Sequence, residues 1–277
     1  MASRIVIMSA IDGKFEGLVS AQIKRCLPPG LIPVDCIVPP QGGAKLARAR
    51  MLSALRSTPK PLAMIGICQR ADPATTEDFR AAHVPVVLID EEAPGASTVA
   101  FDSFAGGHIA GEYLARSGRK EIAIVAGDTT VNGGYNAVQR IKGFAKALAE
   151  AGLPFRREDV IEVHDYTRRD GVTSMARILE ERRPVDAIFS AAGDKTATGI
   201  LATAREHNIK VPDQLAVLGY DDSPIAAISD PPLSTIAQSL ELLAANAVRL
   251  ATEETEEVLA RPKTLLLEPK LVLRQSA

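Results

Sequence analysis

Nine short runs rich in Val and Ile recur along this chain, most of them separated by segments of helical periodicity. They are RIVIMSA (4–10), PVDCIV (33–38), PLAMIGI (61–67), VPVVLID (84–90), STVAF (97–101), EIAIVAG (121–127), DVIEVH (159–164), VDAIFSA (185–191) and QLAVLGY (214–220). Runs that are apolar at nearly every position fit parallel strands covered on both faces. Between them, Ile109, Tyr113 and Leu114 share a helix face, as do Val138, Ile141, Phe144, Ala145 and Leu148. Leu240, Leu243, Ala247 and Leu250 form a third stripe, readable as core or as a partner surface. Strand–helix alternation this regular predicts βαβ units and parallel sheets.

There are too many strands for one small sheet, and 277 residues suffice for two lobes with separate cores. Three stretches offer lobe crossings: 91–107, with Pro94 and Gly95, then 230–238 and 261–270. Three crossings mean interleaved lobes. The expected division is 1–101 with 239–264 and 102–238 with 265–277.

Composition excludes several classes. Charged residues make up 24% and the formal net charge is −2, so the chain carries no basic surface for nucleic acid. The basic helix start GGAKLARAR (42–50) reads as a solvated face. No apolar run approaches the roughly 18 residues of a membrane span, and the N-terminus does not read as a secretory signal. Cys26, Cys36 and Cys68 lack metal-ligand or disulfide spacing, which fits a reducing, cytoplasmic setting without a metal. GxGxxG after a strand, GxxxxGK[ST], GxSxG and HExxH are all missing. The four histidines (His83, His108, His164 and His207) are scattered and read as core or surface residues. No enzyme activity and no cofactor are expected.

Ligands of open α/β sheets bind beyond the carboxyl ends of the strands. Polar residues at those ends are Asp12, Asp90, Asp165, Tyr166, Asp194, Asp221 and Asp222, with Arg140 early in a helix. Carboxylates and a guanidinium fork suit polyhydroxyl ligands, and an aromatic face covers the C–H side of a sugar ring. Several have local alternatives: Arg140 can be a solvated helix arginine, Tyr166 a half-buried loop aromatic and Asp90 an ordinary turn residue. Asp194 can cap the helix that follows it, with or without touching ligand, and Asp102 reads as a cap alone. In GYDDSP (219–224), Asp222 or Ser223 caps a helix begun by Pro224, which leaves Asp221 for the ligand.

At these residues the chain resembles the effector-binding core of the lactose repressor (LacI/GalR) family of bacterial transcription regulators. FDSFAGGHIAGEYLARSGRKEIAIVAG, QRIKGFAKALAEAGL, DAIFSAAGDKTATGIL and LEPKLVLRQS carry the resemblance, and VPDQLAVLGYDDSPIAAISDPPLSTIAQS is its most specific block. It runs over nearly the whole chain. It implies a periplasmic-binding-protein-like fold: two interleaved three-layer α/β/α lobes, a three-segment hinge and a ligand cleft. By position it implies ligand contacts from Asp90, Arg140, Tyr166, Asp194, Asp221 and Gln238, with Phe15 lining the cleft from the first loop. The implied effector is a small polar molecule, most readily a sugar. The implied assembly is a homodimer joined through the first lobe and the LELLAANAVRL helix, reaching DNA only through a helix-turn-helix headpiece that the sequence lacks ahead of its first strand. Where the family has Asn the chain has Gly193, so one amide contact is lost. A solute-binding protein of a sugar transporter would share this fold and cleft, but the PPLSTI and LVLRQS blocks favour the regulator.

Overall fold

The computed structural model describes residues 3–9, 15–39, 43–69, 71–129, 135–253 and 255–277. The chain divides into two compact units, Met1–Phe101 with Leu240–Leu267 and Asp102–Ser239 with Glu268–Ala277. Sequence reading placed Ser239 in the first unit and residues 265–267 in the second. The C-terminal boundary differs because a strand at Thr264–Leu267 pairs along its whole length with Thr98–Phe101 of the first unit.

The first unit contains β1 (Ser3–Ser9), α1 (Phe15–Cys26), β2 (Leu31–Ile37), α2 (Gly43–Leu55), β3 (Ala63–Ile67), α3 (Pro73–Ala81), β4 (Val86–Ile89) and β5 (Ser97–Phe101). The second contains α4 (Ser103–Arg116), β6 (Ile122–Gly127), α5 (Tyr135–Glu150), β7 (Val160–Val163), α6 (Arg168–Glu180), β8 (Ala187–Ser190), α7 (Asp194–Glu206), β9 (Ala216–Asp221), α8 (Pro224–Ile228) and β10 (Ser234–Ala237). The chain then adds α9 (Leu240–Thr252), α10 (Thr255–Ala260) and β11 (Thr264–Leu267) to the first unit, and β12 (Lys270–Val272) to the second.

Each unit is a three-layer sandwich. The first sheet runs β11-β5-β4-β3-β1-β2 and is parallel throughout; the second runs β12-β10-β9-β8-β6-β7, with only β12 antiparallel. Alternate side chains of a strand feed opposite faces. Ile5 and Ile7 join α1 and α9 residues, while Val6 and Met8 join Met51 of α2 and Phe79 of α3. In the second unit, Ala123 and Val125 pack with α6 and α7, and Ile122 and Ile124 with α4 and α5. Covered on both faces, the inner strands must be apolar at every position, which is why they read as continuous runs. β2 departs from that expectation. As an edge strand it leaves Ile32 48% and Ile37 38% exposed.

The apolar stripe of α9 serves the core. Leu243, Ala247 and Leu250 are fully buried within the first unit, so they do not form the partner surface considered above. In the second unit α4 and α5 cross closely because both are glycine there. A Cβ at Gly107 would lie 2.0 Å from the Arg140 carbonyl oxygen, and one at Gly143 would lie 1.9 Å from that of Phe104. This contact fixes the height and rotation of α5, and with it the origin of the Arg140 side chain. Asp102 caps α4 as expected, accepting from the Ala105 N–H at 2.8 Å.

Candidate functional site

Both sheets place their first strand inside and their second at the edge, in the doubly wound order 2-1-3-4-5 within each unit. The switch point, where connections leave in opposite directions, therefore lies beside the carboxyl ends of β1 in the first unit and β6 in the second. The chemically richest group of described residues surrounds the second of these.

Arg140 projects from the second turn of α5. Its Nη1 donates to the Ala191 carbonyl at 2.8 Å, just past β8, and its guanidinium carbon sits 3.8 Å from the ring centre of Tyr220 in β9. Tyr220 is fully buried against Phe189, at 6.2 Å between ring centroids. Carbonyl and ring hold the guanidinium in a set orientation, which lowers the entropy it would lose on engaging a further partner.

Tyr166 follows β7 with φ of +56° and is 45% exposed. Its hydroxyl folds over Gly127 at the end of β6, where a Cβ would stand 1.9 Å from that oxygen. Thr167 and Asp170 then form a capping box for α6, the Asp170 N–H donating to Thr167 Oγ1 at 3.2 Å and the Thr167 N–H to Asp170 Oδ2 at 2.7 Å. Burial raises the Tyr166 phenol pKa; the Arg140 charge lowers it and the Asp128 charge raises it further, so both groups lie within electrostatic reach of the ring.

Asp128 was missed by sequence reading, although it ends EIAIVAGD as Asp221 ends AVLGYD; the same strand-end rule selects it. It is 8% exposed, and its Oδ2 lies 2.9 Å from Nδ1 of His164. Register explains the pair: Gly127 of β6 stands opposite Val163 of β7, and each partner is the next residue. His164, expected in a core or surface role, is thus a neighbour of this group.

Asp221 closes β9 with φ of +101°, followed by Asp222 at +55°. Such backbone is costly for residues with a Cβ and persists where surroundings enforce it. A Cβ on Gly193 would come 2.9 Å from Asp221 Oδ2, so this glycine makes room for the carboxylate. Gln238, 5% exposed, donates its backbone N–H to the Asp221 carbonyl at 3.3 Å.

Asp194 turns out differently from the sequence expectation. Gly193 is the cap residue and Asp194 is the first residue inside α7, only 1% exposed. Its Oδ2 accepts from the N–H and hydroxyl of Ser223 at 2.7 and 2.9 Å, and its Oδ1 from the Thr235 hydroxyl at 2.6 Å. It ties α7, the β9–α8 loop and β10 together, and so holds the loop that carries Asp221. Burial raises its pKa to about 6, against the opposing pull of the Thr235 and Ser223 hydrogen bonds; the charge of Asp222 adds to the rise. Ser223 is the cap residue of α8, but its hydroxyl serves Asp194 and not the helix. Asp222 is matched by Arg274 at 2.7 Å.

Asp90 and Phe15 belong to the first unit. Asp90 follows β4 with φ of +58° and donates its N–H to the Val99 carbonyl at 3.2 Å. The Cys68 thiol pKa is held well above its ordinary value by burial, with the charges of Asp90, Glu16 and Glu91 adding to the rise; Asp90 therefore sits in an acidic group at the carboxyl end of the first sheet. Phe15 begins α1 and packs, half-buried, on that unit's core. Asp12 lies outside the described residues. Among the described residues no group of three or more His, Cys, Asp or Glu could hold a metal, and no helix is long and apolar enough to cross a membrane.

The profile of the periplasmic binding protein-like domain family matches residues 111–277. The HTH-type transcriptional regulator DegA of Bacillus subtilis is 30% identical over 213 residues, 76% of this chain and 61% of its own length. The crystal structure of a LacI transcriptional regulator from a Rhodococcus species superposes with a TM-score of 0.81 at 25% identity, covering 99% of this chain and 98% of that one. The complex of the regulator CelR with cellobiose superposes with a TM-score of 0.80 at 24% identity, over 99% of this chain and 84% of that one. The chain spans 52% to 61% of the length of the first curated relatives it matches. Those relatives are named transcriptional regulators or repressors, not enzymes.

Proposed function

Because the chain belongs to the periplasmic binding protein-like domain family, in the form that LacI-family regulators use as their effector-binding core, we propose that it is the ligand-sensing part of such a regulator and that its effector is a sugar. The observation that carries this reading is the orientation of Arg140. A guanidinium set between the Ala191 carbonyl and the Tyr220 ring, beside the half-exposed Tyr166, is prepared to bond ligand hydroxyls. The CelR–cellobiose complex shares this fold and supports a sugar as the effector class. Tyr166 supplies the stacking face, and Asp221 and Gln238 further polar contacts.

Effector binding then biases an equilibrium between two conformations of the protein, and DNA affinity follows it. The coupling is reciprocal and on the order of 1–3 kcal/mol in such systems. DNA contact belongs to the DNA-binding headpiece of such a regulator, and the working form is a homodimer. Sedimentation of the chain at micromolar concentration is expected to give twice the monomer mass; a monomer throughout would remove the dimer from this reading.

The effector assignment is tested by thermal shift against sugars, sugar phosphates, nucleosides and purines. A ligand of the folded state raises Tm by mass action, by about 2.7 kcal/mol of stability at a hundredfold excess over Kd. A sugar hit is expected. A response to purines or nucleosides alone would replace the sugar with another effector.

A further inference from the structure

Asp128, paired with His164, lies next to Gly127 under the Tyr166 hydroxyl, and its charge and that of Arg140 both reach the Tyr166 ring; neither member of the pair has a role in the proposed function. We infer that the Asp128–His164 pair is a specificity element that makes the site accept uncharged, hydroxyl-rich ligands and turn away the corresponding carboxylates and phosphates; this rests on the proposal that the effector binds at Arg140.

An isolated arginine at a sheet's carboxyl end favours anions, since its fork matches a carboxylate or phosphate in two hydrogen bonds. Arg140 is not isolated. The Asp128 side chain is 11% exposed, so solvent screens it weakly. It is held by His164 at 2.9 Å, directly beside Gly127, on which the Tyr166 hydroxyl lies. Asp221 closes β9, the strand that also carries Tyr220. With a neutral imidazole the pair carries one negative charge, which offsets Arg140 for a ligand seated on Tyr166. A ligand hydroxyl loses little, because it both donates and accepts. An anionic ligand meets like charge in a poorly screened place, the kind of repulsion by which sites reject near-isosteres. The imidazole, 71% exposed, fixes the carboxylate from the solvent side.

The test is calorimetry at about pH 8, where an imidazole is ordinarily neutral, on the whole chain. The ligands are a panel of neutral mono- and disaccharides, each paired with its uronate and its phosphate. Wild-type protein is expected to bind a neutral sugar at least about tenfold tighter than its anionic partner. Asp128→Asn removes the charge without changing shape, and His164→Lys neutralises it with a permanent cation. Each is expected to shrink that preference at least about fivefold. Melting curves check that Asp128→Asn folds, and His164→Lys, at an exposed position, decides the matter if it does not. A wild-type preference for the anion, or a preference unchanged in His164→Lys and in folded Asp128→Asn, would overturn the inference and leave the sugar reading standing. Absence of binding by every member of the panel would overturn both.

Discussion

Arg140 and Asp194 look alike in the sequence, each a charged residue near the start of a helix, yet the structure gives them opposite work. Arg140 is oriented by a carbonyl and a ring toward the strand ends; Asp194 has both oxygens engaged inside its unit. Replacing Asp194 by Ala leaves three donors from Ser223 and Thr235 without their acceptor and is expected to lower stability by about 2–4 kcal/mol, read from urea melts. The same residue imposes a pH dependence. Its pKa is about 6 in the folded protein and near 3.9 unfolded, so the folded state binds the proton more tightly. Its contribution is fully present below about pH 4 and is lost as pH rises through about 6. Asp194→Asn is expected to abolish that slope; an unchanged slope would assign it to other groups. The strand-end rule brought out Asp90, Tyr166 and Asp221, all of which carry left-handed backbone. It gave no hint that Asp194 points inward, because that depends on Ser223 and Thr235, 29 and 41 residues away in sequence.

At the scale of elements, the continuous Val and Ile runs foretold the parallel sheets, since burial on both faces leaves no room for alternation. The pattern could not separate edge from centre, and β2 reads like an inner strand although it lies at the rim. Nor could a helical stripe say what it faces, which is why α9 was open to two readings. The glycines were more informative than they seemed, because Gly107 and Gly143 permit the α4–α5 crossing that sets Arg140 in place. Gly107→Ala forces a Cβ onto the Arg140 carbonyl and is expected to cost about 1–3 kcal/mol of stability. The displaced α5 should also weaken effector binding. Stability lost with affinity unchanged would show that the crossing does not position the arginine.

Across the whole molecule, each unit is finished late in the chain. β11 completes the first sheet and β12 the second, and the last residues tie the latter's β9 and β10 together. Ser276 bonds the Val217 carbonyl and accepts from the Ser234 N–H, while Arg274 joins Asp222 and the Leu233 carbonyl. Removal of residues 268–277 is expected to destabilise the second unit selectively, seen as faster amide exchange in β9 and β10 than in β3 and β4. Whether Arg140 grips the effector is read most directly by calorimetry of the best-shifting sugar against wild-type and Arg140→Ala protein. The variant is expected to lose affinity at least about a hundredfold with a melting curve of unchanged cooperativity. Affinity retained in the folded variant would contradict it and move the effector away from Arg140.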